Sequence, residues 1–262
     1  MEIRKIIDPD QIDGFLEVIK SAWRADNIDG AFRDTIASMR YHGGILLGAF
    51  DDDGKMVGMS FSYPGYRNGK VYLYSHMAGV VEGKKYSNIG YTLKLKQKEL
   101  ATSMGYDLIA WTFDPFNPLN AYFNITKLGA ISRTYIRNFY GNMSDGINRG
   151  MRTDRVVAEW WIKSMFDRKC SEIEFVNDEM DYISIKMHGD SDCLGFYVPS
   201  KISFFFEEQS LGIKLKEKAY EIFNELFRNG YSIIGYEKGT SNYFVFRKID
   251  QNLPKVFDPA VI

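Results

Sequence analysis

The segment Lys84-Lys85-Tyr86-Ser87-Asn88-Ile89-Gly90 has residue types that could hold an anion. Two lysines bring charge, and small or turn-tolerant residues lead into a helical period beginning near Asn88. A helix start presents backbone N–H groups without intrahelical acceptors and a partial positive charge, so a diphosphate can rest against it. A plain capped turn has the same pattern. Just upstream, VYLYSHMAGVV (71–81) reads as a strand whose period-2 alternation sets Tyr74, His76 and Ala78 on one face. Imidazole titrates near neutrality. His76 therefore either exchanges a proton with a ligand, lines a site, or simply packs in the sheet. Asp114, followed by Pro115, fits a cap better than a ligand contact. Arg155 with Glu159 reads as a surface or interdomain pair, and Lys94, Lys96 and Lys98 read as a solvated helix face.

The remaining composition narrows the chemistry. The 262 residues carry 33 Lys and Arg against 34 Asp and Glu, a formal net charge of -1, which favours neither nucleic acid nor a membrane surface as partner. The opening MEIRKIIDPD is too polar for a signal peptide, and no apolar run reaches the roughly 18 residues of a membrane span. His42, His76 and His188 are far apart, and the two cysteines, Cys170 and Cys193, make neither a CxxC pair nor a disulfide framework. The expectation is a metal-free cytoplasmic protein, monomer or homodimer.

The elements that must position these residues follow from periodicity and turn chemistry. A short strand at 2–7 precedes a helix opened by Asp8-Pro9 and carried by Phe15, Val18, Ile19 and Trp23. A helix over 32–40, strands at 44–50 and 55–64, and the turn Asn68-Gly69 lead into the strand at 71–81. A helix from about Asn88 to Met104 puts Ile89, Leu93, Leu100 and Met104 on one face and ends at Gly105. Then come strand 107–113, a short helix over 118–128, and strands at 130–139 and 156–162. Residues 163–171 read as a linker. The remainder suggests strands, an amphipathic helix through Leu215, Ala219, Ile222, Phe223 and Leu226, two final strands, and a loose tail from Asp250.

This order of elements resembles the GNAT acyltransferase superfamily over roughly Ile3 to Ile162, in particular a prokaryotic subgroup of predicted acetyltransferases. The family loop has the form Q/R-x-x-G-x-G/A. Here it is Lys85-x-x-Asn88-x-Gly90, with Lys in place of Gln or Arg and Asn in place of the first Gly. Asn tolerates left-handed backbone angles better than most residues. Downstream, LIAWTFDPFNPLNAYFNITKLGA supplies Asn117 or Asn120, Ala121 and Leu128-Gly129 in the family's Asn, Ala and Leu-Gly positions.

The resemblance implies an α+β fold: a GNAT-like mixed, mostly antiparallel sheet flanked by helices in 1–162, and a smaller C-terminal α+β domain in 163–262 that shapes the acceptor cleft. It implies acetyl-CoA or another acyl-CoA as co-substrate and a primary amine as acceptor. Gly79, Val80 and Val81 would bind the pantetheine arm through their backbone. Lys85, Tyr86, Ser87, Asn88, Ile89 and Gly90 would bind the diphosphate, with Asn117 and Asn120 nearby. One of the lysines in the 94–98 stretch could meet the 3′-phosphate. An amine must lose a proton before attacking a thioester. By family position the base is His76, with Tyr74 as the neighbouring base position. The family's thiolate-protonating Tyr position holds Ile125, which leaves Tyr122, one turn earlier, as the candidate acid. The alternative is a non-catalytic acyl-CoA-binding or sensing module.

Overall fold

The computed structural model describes residues 1–23, 30–81, 83, 88–141, 152–186, 191–249 and 252–257. It separates into two compact units, Met1–Trp111 and Thr112–Ile262.

In the first unit, β1 (Glu2–Lys5) is followed by a turn in which the Asp8 carboxylate accepts the Asp10 N–H at 3.0 Å, and then by α1 (Ile12–Trp23). Next come α2 (Gly30–Tyr41), β2 (Ile45–Phe50), β3 (Met56–Arg67), β4 (Lys70–Val80), α3 (Ile89–Ser103) and β5 (Leu108–Phe113), whose last two residues are counted with the second unit. The strands lie in the order β1-β2-β3-β4-β5, antiparallel except for β4 with β5. Parallel neighbours need a crossover, and α3 supplies it. Asn68 and Gly69 have φ of 48° and 75°, the left-handed pair a tight hairpin between β3 and β4 requires. One face of α1 buries Ile12, Phe15, Val18 and Ile19 against Met59 and Phe61 of β3.

In the second unit, α4 (Pro118–Ala121) runs into a π-helical turn (Tyr122–Lys127). It is followed by β6 (Tyr135–Ile136), β7 (Arg155–Trp161), β8 (Glu174–Phe175), β9 (Cys193–Val198), α5 (Phe204–Glu207), α6 (Gln209–Arg228), β10 (Tyr231–Glu237) and β11 (Asn242–Lys248). A sheet of order β10-β11-β9-β8 packs on α6, where the Phe223 ring stands edge-on to Phe196, Phe244 and Phe246 at 5.0, 5.5 and 4.9 Å. Among the described residues, no helix is long and apolar enough to cross a membrane.

Several expectations change. The strand expected over 130–139 shrinks to β6 and to bridges from Ile131 to Glu159 and from Ser132 to Ile233. The segment 163–171 is not a free linker. Arg168 donates to the carbonyls of Ile125, Gly129, Ala130 and Ile234, and Cys170 is disulfide-bonded to Cys193. Residues 252–257 of the expected loose tail are held: Arg133 donates to the carbonyls of Leu253 and Pro254, and Val256 is buried. Glu159 pairs with Arg133 rather than Arg155, whose guanidinium instead donates to the Asp154 carbonyl and lies over Tyr140. Trp160 and Trp161 are both buried.

Candidate functional site

Strand β4 carries Tyr74, His76, Gly79 and Val80 of the expected site, and its backbone is irregular at His76. Its register with β3 runs Tyr63↔Tyr74 and Ser62↔Ser75, then resumes at Phe61↔Met77, so His76 is the extra residue of a β-bulge. A bulge re-aims side chains and reverses the alternation beyond it. Tyr74 and His76 share a face as expected, with ring centroids 6.0 Å apart, and the His76 ring also meets Tyr63 at 5.7 Å and Phe61 at 5.8 Å. Ala78 does not join them. It pairs with Ser60, which turns to the α3 face and bonds Gln97. The two-residue period cannot see the inserted residue.

Within its aromatic surroundings, the Nδ1 of His76 is buried without a hydrogen-bond partner. Burial lowers the imidazole pKa from its ordinary value, so the ring is neutral near pH 7 and able to take a proton. Beyond the bulge, the Val81 N–H donates to the Val57 carbonyl at 2.9 Å. In an antiparallel pair the residues alternate in direction, so Gly79 also turns to β3 while Val80 and Ala78 direct their N–H groups to the β5 side. Gly79 is needed for space: a Cβ there would meet the Trp23 ring at 2.6 Å.

On the β5 side the strand pairing is short. Parallel pairing of β4 with β5 covers Leu73↔Ile109 and Tyr74↔Ala110, although β4 continues to Val80. The two strands fork after Tyr74. At the far end of β4 the chain enters α3 through Asn88, which has φ 72° and ψ −8°. This is the left-handed conformation that a glycine would take, and Asn adopts it at modest cost. The first helical bond runs from the Thr92 N–H to the Asn88 carbonyl, so the N–H groups of Ile89 and Gly90 lie ahead of the ladder. Lys85, Tyr86 and Ser87, with Lys84, fall outside the described residues, as does His188.

The sequence period missed a polar cluster on the other face of the fork. Lys94 is 4% exposed and not part of a solvated face. Its Nζ donates to Ser75 Oγ at 2.7 Å and to Gln97 Oε1 at 3.2 Å, and lies 3.8 Å from the Trp111 ring centroid. The buried stripe of α3 is Ile89, Leu93, Lys94, Gln97 and Ala101, while Met104 is exposed. Hydrophobic periodicity finds Ile89 and Leu93 but has no means of finding the lysine and glutamine between Leu93 and Ala101. A lysine and a glutamine three residues apart beside a leucine were the available signal.

The remaining expected residues belong to the second unit. Asn117 caps α4, its Oδ1 accepting the N–H groups of Leu119 and Asn120 at 3.2 Å each. The Asn120 side chain is exposed. Asp114 accepts the Phe116 N–H at 2.9 Å and so serves the turn. Tyr122 has the Lys238 ammonium 4.0 Å from its ring centroid, whereas Ile125 is fully buried. The two therefore sit in different surroundings. Among the described residues, no group of three His, Cys, Asp or Glu could hold a metal ion.

Solved structures share the backbone arrangement of this chain. An aminoglycoside 6′-acetyltransferase type Ii matches with a TM-score of 0.50 at 19% identity, over 63% of this chain and 99% of that one. A candidate acetyltransferase from Acinetobacter baylyi has a TM-score of 0.50 at 12% identity, over 60% of this chain and 89% of that one. A GNAT family acetyltransferase from Elizabethkingia anophelis with acetyl-CoA bound has a TM-score of 0.48 at 16% identity, over 61% and 97%. No protein-family model matches the sequence, and no curated protein matches it. A GNAT-like fold, a mostly antiparallel sheet flanked by helices, thus shows in the backbone.

Proposed function

We propose that this protein is an acyl-CoA-dependent N-acyltransferase that passes an acetyl group to a primary amine by direct attack. The observation that carries the reading is the fork: β4 leaves β5 after Tyr74↔Ala110 and ends at a helix entered through left-handed Asn88, all within a GNAT fold. A polar arm inserted in the fork can complete the ladder that β4 lacks on its β5 side. The N–H groups of Val80 and Ala78 are the donors offered there, one of them to the thioester oxygen as charge develops on it. In this reading the N–H groups of Ile89 and Gly90 bind the diphosphate, with Lys85, Tyr86 and Ser87 as further candidates.

In the reaction, the amine nitrogen forms a bond to the acetyl carbon, the carbon–sulfur bond breaks, and CoA leaves as thiolate. His76 takes the proton from the amine. Its lowered pKa suits it to that step at neutral pH, since the ring is already neutral. Tyr74 lines the same face. A second reading, binding of acyl-CoA without transfer, is favoured by the buried Ile125 at the position where the family carries its acid.

Single-turnover cleavage of acetyl-CoA against a panel of primary amines separates the two. Transfer predicts amine-dependent loss of the thioester, with kcat/KM falling as pH drops through the His76 pKa and that limb gone in His76→Gln. Tight acetyl-CoA binding with no cleavage on any amine selects the binding module.

A further inference from the structure

Lys94 meets the fork at its origin. The last parallel pair is Tyr74↔Ala110, and the next residue on each strand is Ser75 on β4 and Trp111 on β5. The amine of Lys94 touches both, with Ser75 Oγ at 2.7 Å and the Trp111 ring face at 3.8 Å. Gln97 ties the same hydroxyl to β3 by donating to Ser75 Oγ and Ser60 Oγ, each at 3.1 Å. Where the backbone ladder stops, side chains from α3 hold β3, β4 and β5 in its place.

We propose that Lys94 is a positioning residue that sets the opening of the β4–β5 fork and, through it, the seat of the pantetheine arm of acyl-CoA. The second half of this statement rests on the acyl-CoA reading above. A methionine or leucine at this position would fill the space without the cost of dehydrating an amine. The lysine brings what they lack, a donor for Ser75 and a cation for the Trp111 face. Burial pushes its amine pKa down to about 7, which marks how far the group is removed from water. The bulge at His76 directly follows Ser75, so the anchor at Ser75 also fixes where the bulge begins and how the His76 ring is presented.

The test uses the full chain as wild type, Lys94→Met and the milder Ser75→Ala, which keeps the question open if Lys94→Met does not fold. Each is titrated with acetyl-CoA and with adenosine 3′,5′-bisphosphate, which shares the nucleotide but has no pantetheine arm. Amide exchange over residues 75–80 is followed without ligand. The expected result is acetyl-CoA affinity about tenfold weaker in Lys94→Met, unchanged affinity for the bisphosphate, and faster exchange at 75–80 while α1 keeps its protection. Equal weakening for both ligands overturns the proposal, since it reports general damage. So does unchanged exchange at 75–80, or faster exchange with full acetyl-CoA affinity. If the wild type binds neither compound, the acyl-CoA reading fails on its own, and exchange at 75–80 still decides whether Lys94 sets the fork.

Discussion

In the second unit, the buried carboxylate of Glu159, 1% exposed, is held by Arg133 through two hydrogen bonds of 3.2 and 2.5 Å and by the Trp161 indole N–H at 3.0 Å. In the first unit, the buried amine of Lys94 is bonded to Ser75 and Gln97, both neutral, and lies against an aromatic face. The first arrangement compensates charge with charge and ties β7, Arg133 and the tail carbonyls together. The second sets an amine, with no carboxylate partner among the described residues, at the place where two strands part. A fully compensated buried ion is explained by structure alone. An amine buried without a counter-charge pays for desolvation and sheds its proton more easily, and it does so at the fork.

The largest expected effect tests the compensated side. Arg133→Ala strands Glu159 in the interior and releases the tail, and should cost about 3–5 kcal/mol in urea unfolding. A loss below about 1 kcal/mol would mean the pair is not the anchor described. The disulfide comes next. It links residues 23 apart in sequence, and Cys170→Ser with Cys193→Ser should cost about 3 kcal/mol while leaving acetyl-CoA affinity intact. Weakened affinity in a folded double variant would break the division between a structural second unit and a functional fork.

The third prediction concerns pH. An unfolded lysine keeps its proton up to about pH 10.4, whereas Lys94 releases its proton near 7 in the fold. Between these values the unfolded chain binds more protons, so stability should rise with pH by up to about 1.4 kcal/mol per unit, and the rise should be missing in Lys94→Met. Parallel curves for the two proteins from pH 7 to 9.5 would show that the amine stays charged. The smallest effect is Lys94→Met itself at pH 7. Relief of the buried amine offsets the lost bonds to Ser75 and Gln97, leaving global stability within about 1 kcal/mol of wild type. A loss of several kcal/mol would put Lys94 in the same class as Glu159.

Much of the frame was legible from local chemistry. Asp8 opens its turn, Asn68-Gly69 closes its hairpin, and Asn88 takes the left-handed angles that its place in the loop demands. What stayed hidden depends on partners distant in sequence or on polar burial. The bulge at His76 is a property of the pairing between two strands, and it moves Ala78 to the other face. Lys94 reads as solvated because lysines usually are, and only Ser75 and Trp111 show otherwise. Arg168 and Val256 turn an expected linker and an expected loose tail into packed segments through contacts that no period encodes. The disulfide is likewise a long-range pairing, and it stands in a chain whose cysteine count gave no framework.

The central claim is that the fork and the α3 entry receive acyl-CoA. Calorimetric titration of the wild-type chain with acetyl-CoA tests it directly. Saturable one-to-one binding at micromolar concentrations, weakened when Gly90→Pro removes an N–H from the helix entry, is the predicted result. Absence of binding up to millimolar acetyl-CoA by a folded wild-type chain would contradict it.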